Sequence, residues 1–113
     1  GCLGVGIYIL NSFYVNVTGN GVHSGADAFI LEGGGKHNVT GNIAHDNTGY
    51  GFKMSSLTTH NSVNSNTSSA CIVGVGEIGG ALANVVHDHT SITDGTAYGA
   101  AGAGSSYVDN ITF

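Results

Sequence analysis

Apolar and polar residues alternate over very short stretches of this chain, and the same stretches return at a nearly fixed interval. The segment Asn16-Val17-Thr18-Gly19-Asn20 recurs unchanged as Asn38-Val39-Thr40-Gly41-Asn42, 22 positions later. Alternation over three residues predicts a short β-strand with one inward side chain, here Val, between two outward polar ones. A repeat of this length predicts a solenoid, in which each coil buries its inner side chains against its neighbours.

A second recurring position is aromatic or apolar and is followed two residues later by another apolar residue. The pairs are Tyr8 and Leu10, Phe29 and Leu31, Phe52 and Met54, and Cys71 and Val73. A third inward position is predicted at Val22, Ala44 and Val86. Three short strands per coil predict an all-β fold, a right-handed parallel β-helix of about five coils of roughly 22 residues. It fills residues 1–113 as a single domain, which we expect to be a segment of a longer chain. A leucine-rich repeat of similar period is disfavoured, because the chain has only five Leu and they do not recur at fixed places in each coil.

Asn and loop residues recur with the coils. Stacked Asn side chains are predicted to hydrogen-bond from coil to coil at Asn20, Asn42, Asn64 and Asn84. Insertions at 32–36, 55–60 and 74–80 are predicted to form loops on one edge. The Gly/Ala/Ser-rich stretch at about 97–106 is predicted to be an exposed loop, and residues 108–113 to open another coil.

Composition narrows the classes of partner. The net charge is −5 and the only cations are Lys36 and Lys53, which excludes a nucleic-acid footprint. The apolar runs are too short for membrane insertion. Cys2 and Cys71 are predicted about three coils, or about 14 Å, apart, too far for a disulfide. An excess of N-x-Ser/Thr sequons favours an extracellular glycoprotein; the candidate acceptors are Asn16, Asn38, Asn66 and Asn110.

One segment carries a family resemblance. Asp27-Ala28-Phe29-Ile30-Leu31-Glu32-Gly33-Gly34-Gly35, followed by Asn38 and by Gly41-Asn42-Ile43-Ala44, resembles the parallel β-helix repeats of G8-domain surface proteins. That group includes fibrocystin-like proteins and hyaluronan-degrading proteins. The resemblance extends over about residues 4–90 and implies an extracellular or cell-surface location. Gly33-Gly34 replaces the Asp-Gly that is frequent in such repeats, which removes a carboxylate.

Two sets of side chains are candidates for chemistry. His23, His45 and His87 fall in one predicted column, where the first two would lie about 5 Å apart and are an alternative metal site. Asp46 and Asp88 are predicted on the same edge, roughly 10 Å apart, and are an alternative catalytic pair for a glycosidase. Simple stacking of rings and an accidental carboxylate pair are the preferred explanations of the two sets, so we predict no catalytic residue, metal or cofactor. His89 is predicted to be a solvated loop residue.

An outward apolar column indicates a lateral contact surface. Ile9, Ile30, Lys53 and Ile72 are predicted to face away from the core along one sheet, and such a ridge usually marks contact with another chain. The alternative is that inside and outside are exchanged in that strand. The sequence therefore favours a structural or adhesive β-helix segment that forms a stiff rod and binds other protein chains or domains, with glycans as a second class of partner. The alternative function is a polysaccharide-acting enzyme: a hyaluronidase-like hydrolase, a lyase or an epimerase.

Overall fold

The chain folds into short strands that wind through three sheets. The computed structural model describes residues 4–113, and within that range it contains strands, turns and bends but no helix. In chain order the strands are β1 Ile7–Leu10, β2 Asn16–Thr18, β3 Gly21–His23, β4 Phe29–Glu32, β5 Asn38–Thr40, β6 Ile43–His45, β7 Tyr50–Ser55, β8 Ser62–Asn64, β9 Thr67–Ser69, β10 Val73–Glu77, β11 Val85–His87, β12 Thr90–Ile92, β13 Thr96–Tyr98, β14 Ser106–Val108 and β15 Ile111–Thr112.

Each coil contributes one strand to each sheet, and every strand pair is parallel. The first sheet has the order β1-β4-β7-β10-β13, the second β2-β5-β8-β11-β14, and the third β3-β6-β9-β12-β15. Val17, Val39, Val63 and Val86 pair in register in the second sheet, at intervals of 22, 24 and 23 residues. The prediction of an all-β parallel solenoid of about five coils is confirmed.

The interior changes in character along the axis. In the first coils it is apolar, with Phe29 and Phe52 from the first sheet packed against Val39 of the second. In the later coils the inward positions of the third sheet become Ser68 and Ser91, both fully buried. Those hydroxyls need hydrogen-bond partners, because an unpaired buried polar group destabilises the fold by about 1–3 kcal/mol.

The predicted inward residues of the first sheet are correct in the second and third coils. They are wrong in the first coil and in the fourth. Phe29 pairs with Ile7 and not with Tyr8, and Phe52 pairs with Val75 and not with Cys71. Because side chains alternate between faces, the shift by one residue leaves Tyr8 and Leu10 on the outside, about half exposed. Likewise, the inward Val86 belongs to the second sheet, where it pairs with Val63, and not to the column of Val22 and Ala44.

Close approach of the first and third sheets explains this register. A Cβ on Gly6 would lie 2.3 Å from a methyl group of Val22, and one on Gly74 would lie 2.7 Å from Oγ of Ser68. Only the smallest side chains fit here. The residues that directly precede the in-register set Ile7, Phe29, Phe52, Val75 and Tyr98 are all Gly or Ala, namely Gly6, Ala28, Gly51, Gly74 and Ala97. With Gly6 at this crowded corner, Ile7 takes the next position, in register with Phe29, and packs against the core.

The coil corners are joined by side chains that bond to the backbone of the neighbouring coil. At the first corner, between the first and second sheets, the N–H groups of His37, Asn61 and Asn84 donate to side chains one coil further on, each at 2.9 Å. At the second corner, the N–H groups of Asn20 and Asn42 donate to Oδ1 of Asn42 and Asn66, also at 2.9 Å.

The predicted single Asn ladder is therefore two ladders. Asn20 and Asn42 belong to the second corner, but its next member is Asn66, and Asn64 is the outward last residue of β8. Asn84 belongs to the first corner, where it accepts the N–H of Asn61. The third corner uses Asn47, whose Oδ1 accepts the N–H of Gly25, and Asp94, whose Oδ1 accepts that of Cys71.

The longer loops lie on one edge, at the first corner. Parallel bridges run along it through Phe13, Gly35, Thr59, Leu82 and Ala103. The Gly/Ala/Ser-rich stretch at about 97–106 includes part of β13, one of these bridges and the start of β14. Residues 108–113 complete the fifth coil and do not open another one. Cys71 is a free, buried thiol, and Cys2 lies outside the described residues.

Candidate functional site

The three histidines predicted in one column lie in two different sheets. His23 and His45 pair in register on the outside of the third sheet. His87 ends β11 in the second sheet, where its in-register neighbours are Asn64 and Val108. The cause is the misplaced Asn84, which belongs to the first corner and shifts the strand after it by one sheet. The pair His23 and His45 stands, and the column of three is wrong.

The two candidate catalytic carboxylates do not share an edge. Asp46 follows β6 of the third sheet, whereas Asp88 follows β11 of the second. Each carboxylate lies instead beside the histidine before it: Nδ1 of His45 lies 3.0 Å from Oδ2 of Asp46, and His87 and Asp88 have the same separation. The predicted shared edge is wrong, and within residues 4–113 the structure does not bring Asp46 and Asp88 together as a glycosidase pair.

Other carboxylates are used in the architecture. Asp27 accepts the N–H of Tyr50 at 2.8 Å and forms an ion pair with Lys53 at 3.2 Å. Glu32 accepts hydrogen bonds from the hydroxyls of Tyr8 and Ser56. Each of these bonds joins residues more than 20 positions apart, so both carboxylates link neighbouring coils.

A hydroxyl, an imidazole and a carboxylate meet inside the later coils. Oγ of Ser68 and of Ser91 both donate to Oδ2 of Asp94 at 2.5 Å. Nε2 of His89 lies 2.9 Å from Oγ of Ser68. Because the single proton of Ser68 is given to Asp94, His89 is the donor in that bond, and its Nδ1 is left without a partner. Burial lowers the pKa of His89 to about 4, and the charge of Asp94 acts weakly in the opposite direction.

This buried cluster has the residue types of a nucleophilic triad but not its geometry. A triad needs the carboxylate on the far nitrogen of the imidazole and a nucleophile that a substrate can reach. Here Asp94 bonds to the serines, and Ser68 and His89 are both 0% exposed. The cluster satisfies polar groups in the interior. His89 is therefore wrongly predicted as a solvated loop residue: it lies edge-on to Phe52 and to Tyr98.

A second buried cluster surrounds Glu77. Oε1 of Glu77 accepts hydrogen bonds from Nδ2 of Asn84 and from Oγ of Ser105, both at 2.7 Å, and its Oε2 accepts the N–H of Gly102 at 2.8 Å. Tyr107 lies close by, and burial together with the charge of Glu77 raises the pKa of its hydroxyl. Sequence analysis missed both clusters, although one signal was present: His89 follows its strand by two positions, as Asn42 and Asn66 follow theirs.

The predicted lateral column is not continuous. Ile9 packs against the core. For β1 the alternative interpretation is therefore correct: the residues predicted to face outward face inward. The outward residues in register are Tyr8, Ile30, Lys53 and Gly76. Ile30 is nearly buried, and Ile72 precedes β10 and is exposed.

The exposed apolar residues that do share an edge lie at the first corner. We call Leu10, Phe13, Leu57, Ile78 and Leu82 the apolar edge, since all five are exposed on the loops and strand ends of that corner. Leu57, Ile78 and Leu82 line a cleft of about 440 Å³ whose wall includes Glu77, Gly79, Gly80 and Gly102.

The four sequon asparagines differ in accessibility. Asn16 is exposed and Asn38 is partly exposed on the outside of the second sheet. Asn66 is buried, and its Nδ2 donates to the carbonyl of Val39 at 2.9 Å. Asn110 also lies at the second corner, where its Oδ1 accepts the N–H of His89.

No protein family, curated protein or solved structure matches this chain. Over residues 4–113 no three His, Cys, Asp or Glu side chains are grouped closely enough to enclose a metal ion. The described part of the chain also has no helix long and apolar enough to cross a membrane.

Proposed function

We propose that this chain is a structural segment of a larger extracellular or cell-surface protein, and that it holds a lateral face for another protein chain. The observation that carries the proposal is the continuity of the interior. Three corners bond coil to coil, and the side chains of Glu77 and Asp94 bond to neighbouring coils. Such a stack resists bending because every coil is held by both of its neighbours.

The described coils form a block that measures 27 × 27 × 23 Å, about as tall as it is wide. Rod-like stiffness accordingly depends on how many coils stack. What this block offers by itself is a rigid surface on which exposed side chains keep fixed positions.

The apolar edge is the face that we assign to a partner. Exposed apolar residues that gather on one side of a protein usually mark a contact surface. The partner that fits is a protein surface that is apolar at its centre and basic around it, because this chain has a net charge of −5.

Binding measurements with a matched pair of variants test this proposal. A partner is first identified by a photo-crosslinker at position 57 of the parent protein, is then purified, and its Kd is measured directly. Leu82→Asp should weaken binding at least tenfold because it places a charge in the apolar edge. Ile43→Asp, on the exposed outer face of the third sheet, should leave the Kd unchanged. Equal effects of the two variants would contradict the assignment.

A polysaccharide-acting enzyme is the second candidate function, and a cleavage assay distinguishes it from the structural proposal. If the purified protein cleaved a polysaccharide and Asp46→Asn or Asp88→Asn abolished cleavage, the structural proposal would be wrong.

Kinship with G8-domain and fibrocystin-like proteins is part of the structural proposal. It is supported by the place of the motif in the coil: Leu31 and Glu32 end a first-sheet strand, and Asn38 begins the second-sheet strand after the Gly turn. Flanking sequence with a G8 domain would support it.

A further inference from the structure

Two histidines stand side by side on the outer face of the third sheet. His23 in β3 and His45 in β6 are in-register partners on parallel strands, and both are exposed. Neighbouring strands are about 4.8 Å apart, and in-register side chains point to the same face. The two imidazoles therefore leave the backbone from adjacent points in the same direction.

The inner nitrogens of both rings are already in use. Nδ1 of His23 lies 3.3 Å from Oγ of Ser24, and Nδ1 of His45 lies 3.0 Å from Oδ2 of Asp46. Ser24 and Asp46 have φ values of 59° and 54°, a left-handed conformation that turns each side chain back toward the ring before it. A carboxylate on Nδ1 keeps the proton there and the lone pair on Nε2, which is the arrangement that metal-binding histidines have in proteins.

We propose that Nε2 of His23 and Nε2 of His45 together bind a late first-row divalent ion, with Cu²⁺ and Zn²⁺ as the metals that imidazole suits best. Because the two strands are about 4.8 Å apart, both Nε2 atoms can reach one ion at the bond length of about 2.0–2.1 Å that such ions require. No described carboxylate or thiol completes the set, so the remaining positions stay open to water or to a ligand from a partner. The site is independent of the apolar edge and of the proposed scaffold function.

The chain has its own control for this site. His87 is followed by Asp88 with the same Nδ1 to Oδ2 separation of 3.0 Å, and Asp88 has the same left-handed conformation. The in-register neighbours of His87 are Asn64 and Val108, so it offers one imidazole and not two. Any affinity that depends on the pair must be absent at His87.

Titration with Cu²⁺ tests the proposal. The probe is CuCl₂ at pH 7.5, added to chain that carries Cys2→Ser and an acetylated amino terminus so that neither group competes. Calorimetry measures the Kd, and electron paramagnetic resonance counts the coordinated imidazole nitrogens. We expect one tight site with two nitrogens. His23→Ala and His45→Ala should each reduce this to one nitrogen and weaken binding on the order of 10²-fold, because the second ligand then no longer acts intramolecularly.

Three further variants separate this site from general affinity for metal. His87→Ala should leave the tight site unchanged, and Asp46→Asn should weaken it about 10–100-fold through the orientation of His45. Ser69→His places a third imidazole next in register to His45 and should tighten binding and add a nitrogen. The proposal is overturned if His87→Ala weakens binding as much as His45→Ala, or if the unmodified pair shows only one nitrogen. Urea unfolding of each variant shows whether the fold is intact.

Discussion

Phe29 and Phe52 stack face to face inside the solenoid, with ring centroids 4.7 Å apart and planes within 5° of parallel. This spacing equals the separation of neighbouring parallel strands, about 4.7–4.9 Å. Each ring thus covers the other from water, and both are only 2% exposed. The contact shows why a coil cannot be stable alone: its largest apolar group is sheltered by the next coil.

Removal of one ring should destabilise the whole stack. Phe52→Ala leaves a cavity between Phe29 and the edge of His89, and such truncations lower the free energy of unfolding by about 3–5 kcal/mol. Phe13→Ala is the control, because Phe13 is 58% exposed and should change stability by less than about 0.5 kcal/mol. Urea unfolding followed by circular dichroism measures both. Similar losses for the two variants would mean that Phe52 is not in a packed interior.

Asn42 should contribute far more to stability than Asn64. Asn42 accepts the N–H of Asn20, and its Nδ2 donates to the carbonyl of Val17 at 2.8 Å, all at a buried corner. Asn42→Ala leaves these two groups unpaired and should lower the free energy of unfolding by about 2–6 kcal/mol, from about 1–3 kcal/mol for each group. Asn64→Ala removes only partly buried side-chain bonds to Thr40 and Ser62 and should cost less than about 1 kcal/mol. The reverse order in urea unfolding would refute the observed corner.

Stability should fall in mild acid because of His89. An unfolded histidine titrates near pH 6.5, whereas burial lowers the pKa of His89 to about 4. Between these values the unfolded chain binds more protons, so the free energy of unfolding decreases as the pH falls from about 6.5 to about 4 and levels off below. The loss is on the order of 3 kcal/mol. Urea midpoints measured between pH 7.5 and pH 4 give this slope.

His89→Asn is the matching variant. Position 89 is two residues past β11, as Asn66 is past β8, so the substitution places the ladder residue in the ladder position. Most of the slope between pH 6.5 and 4 should disappear, because the group that titrates is gone. What remains includes His37, whose pKa burial also lowers. A slope unchanged by His89→Asn would mean that another group controls the acid response.

If the parent protein enters the secretory pathway, its glycans should be confined to the second sheet. Asn16 and Asn38 present their side chains outward there, while Asn66 and Asn110 are held by bonds at the second corner. Asn16→Gln and Asn38→Gln should each remove one glycan, seen as a mobility shift after glycosidase treatment. Loss of a glycan with Asn66→Gln would contradict this assignment.

The repeat was predictable from sequence because it depends on local identity. Two identical copies of Asn-Val-Thr-Gly-Asn fix where Val17 and Val39 stack, and the structure confirms this register. The prediction was wrong where the coils differ. Ile7 faces inward because Gly6 occupies the crowded corner opposite Val22, a contact between residues 16 positions apart that periodicity does not contain.

The interior chemistry was not predictable for the same reason. Ser68, His89 and Asp94 meet only after the coil register is known, and the register was misassigned from Asn64 onward. When the position of a polar residue in its coil is unknown, sequence analysis assigns its side chain to solvent, as it did for His89. The in-register pairing of His23 with His45 was predicted correctly, because the two strands follow the identical repeats.

Amide hydrogen exchange tests most directly the claim that each coil is protected by its neighbours. We expect the slowest exchange in the inner coils, with similar protection in all three sheets at β5, β6 and β7 and at β8, β9 and β10. Protection should decline toward β1 and β15, because nearest-neighbour stacking is weakest at the ends of the described stack. Strong protection in one sheet with rapid exchange in the other two would contradict a scaffold built from mutually supporting coils.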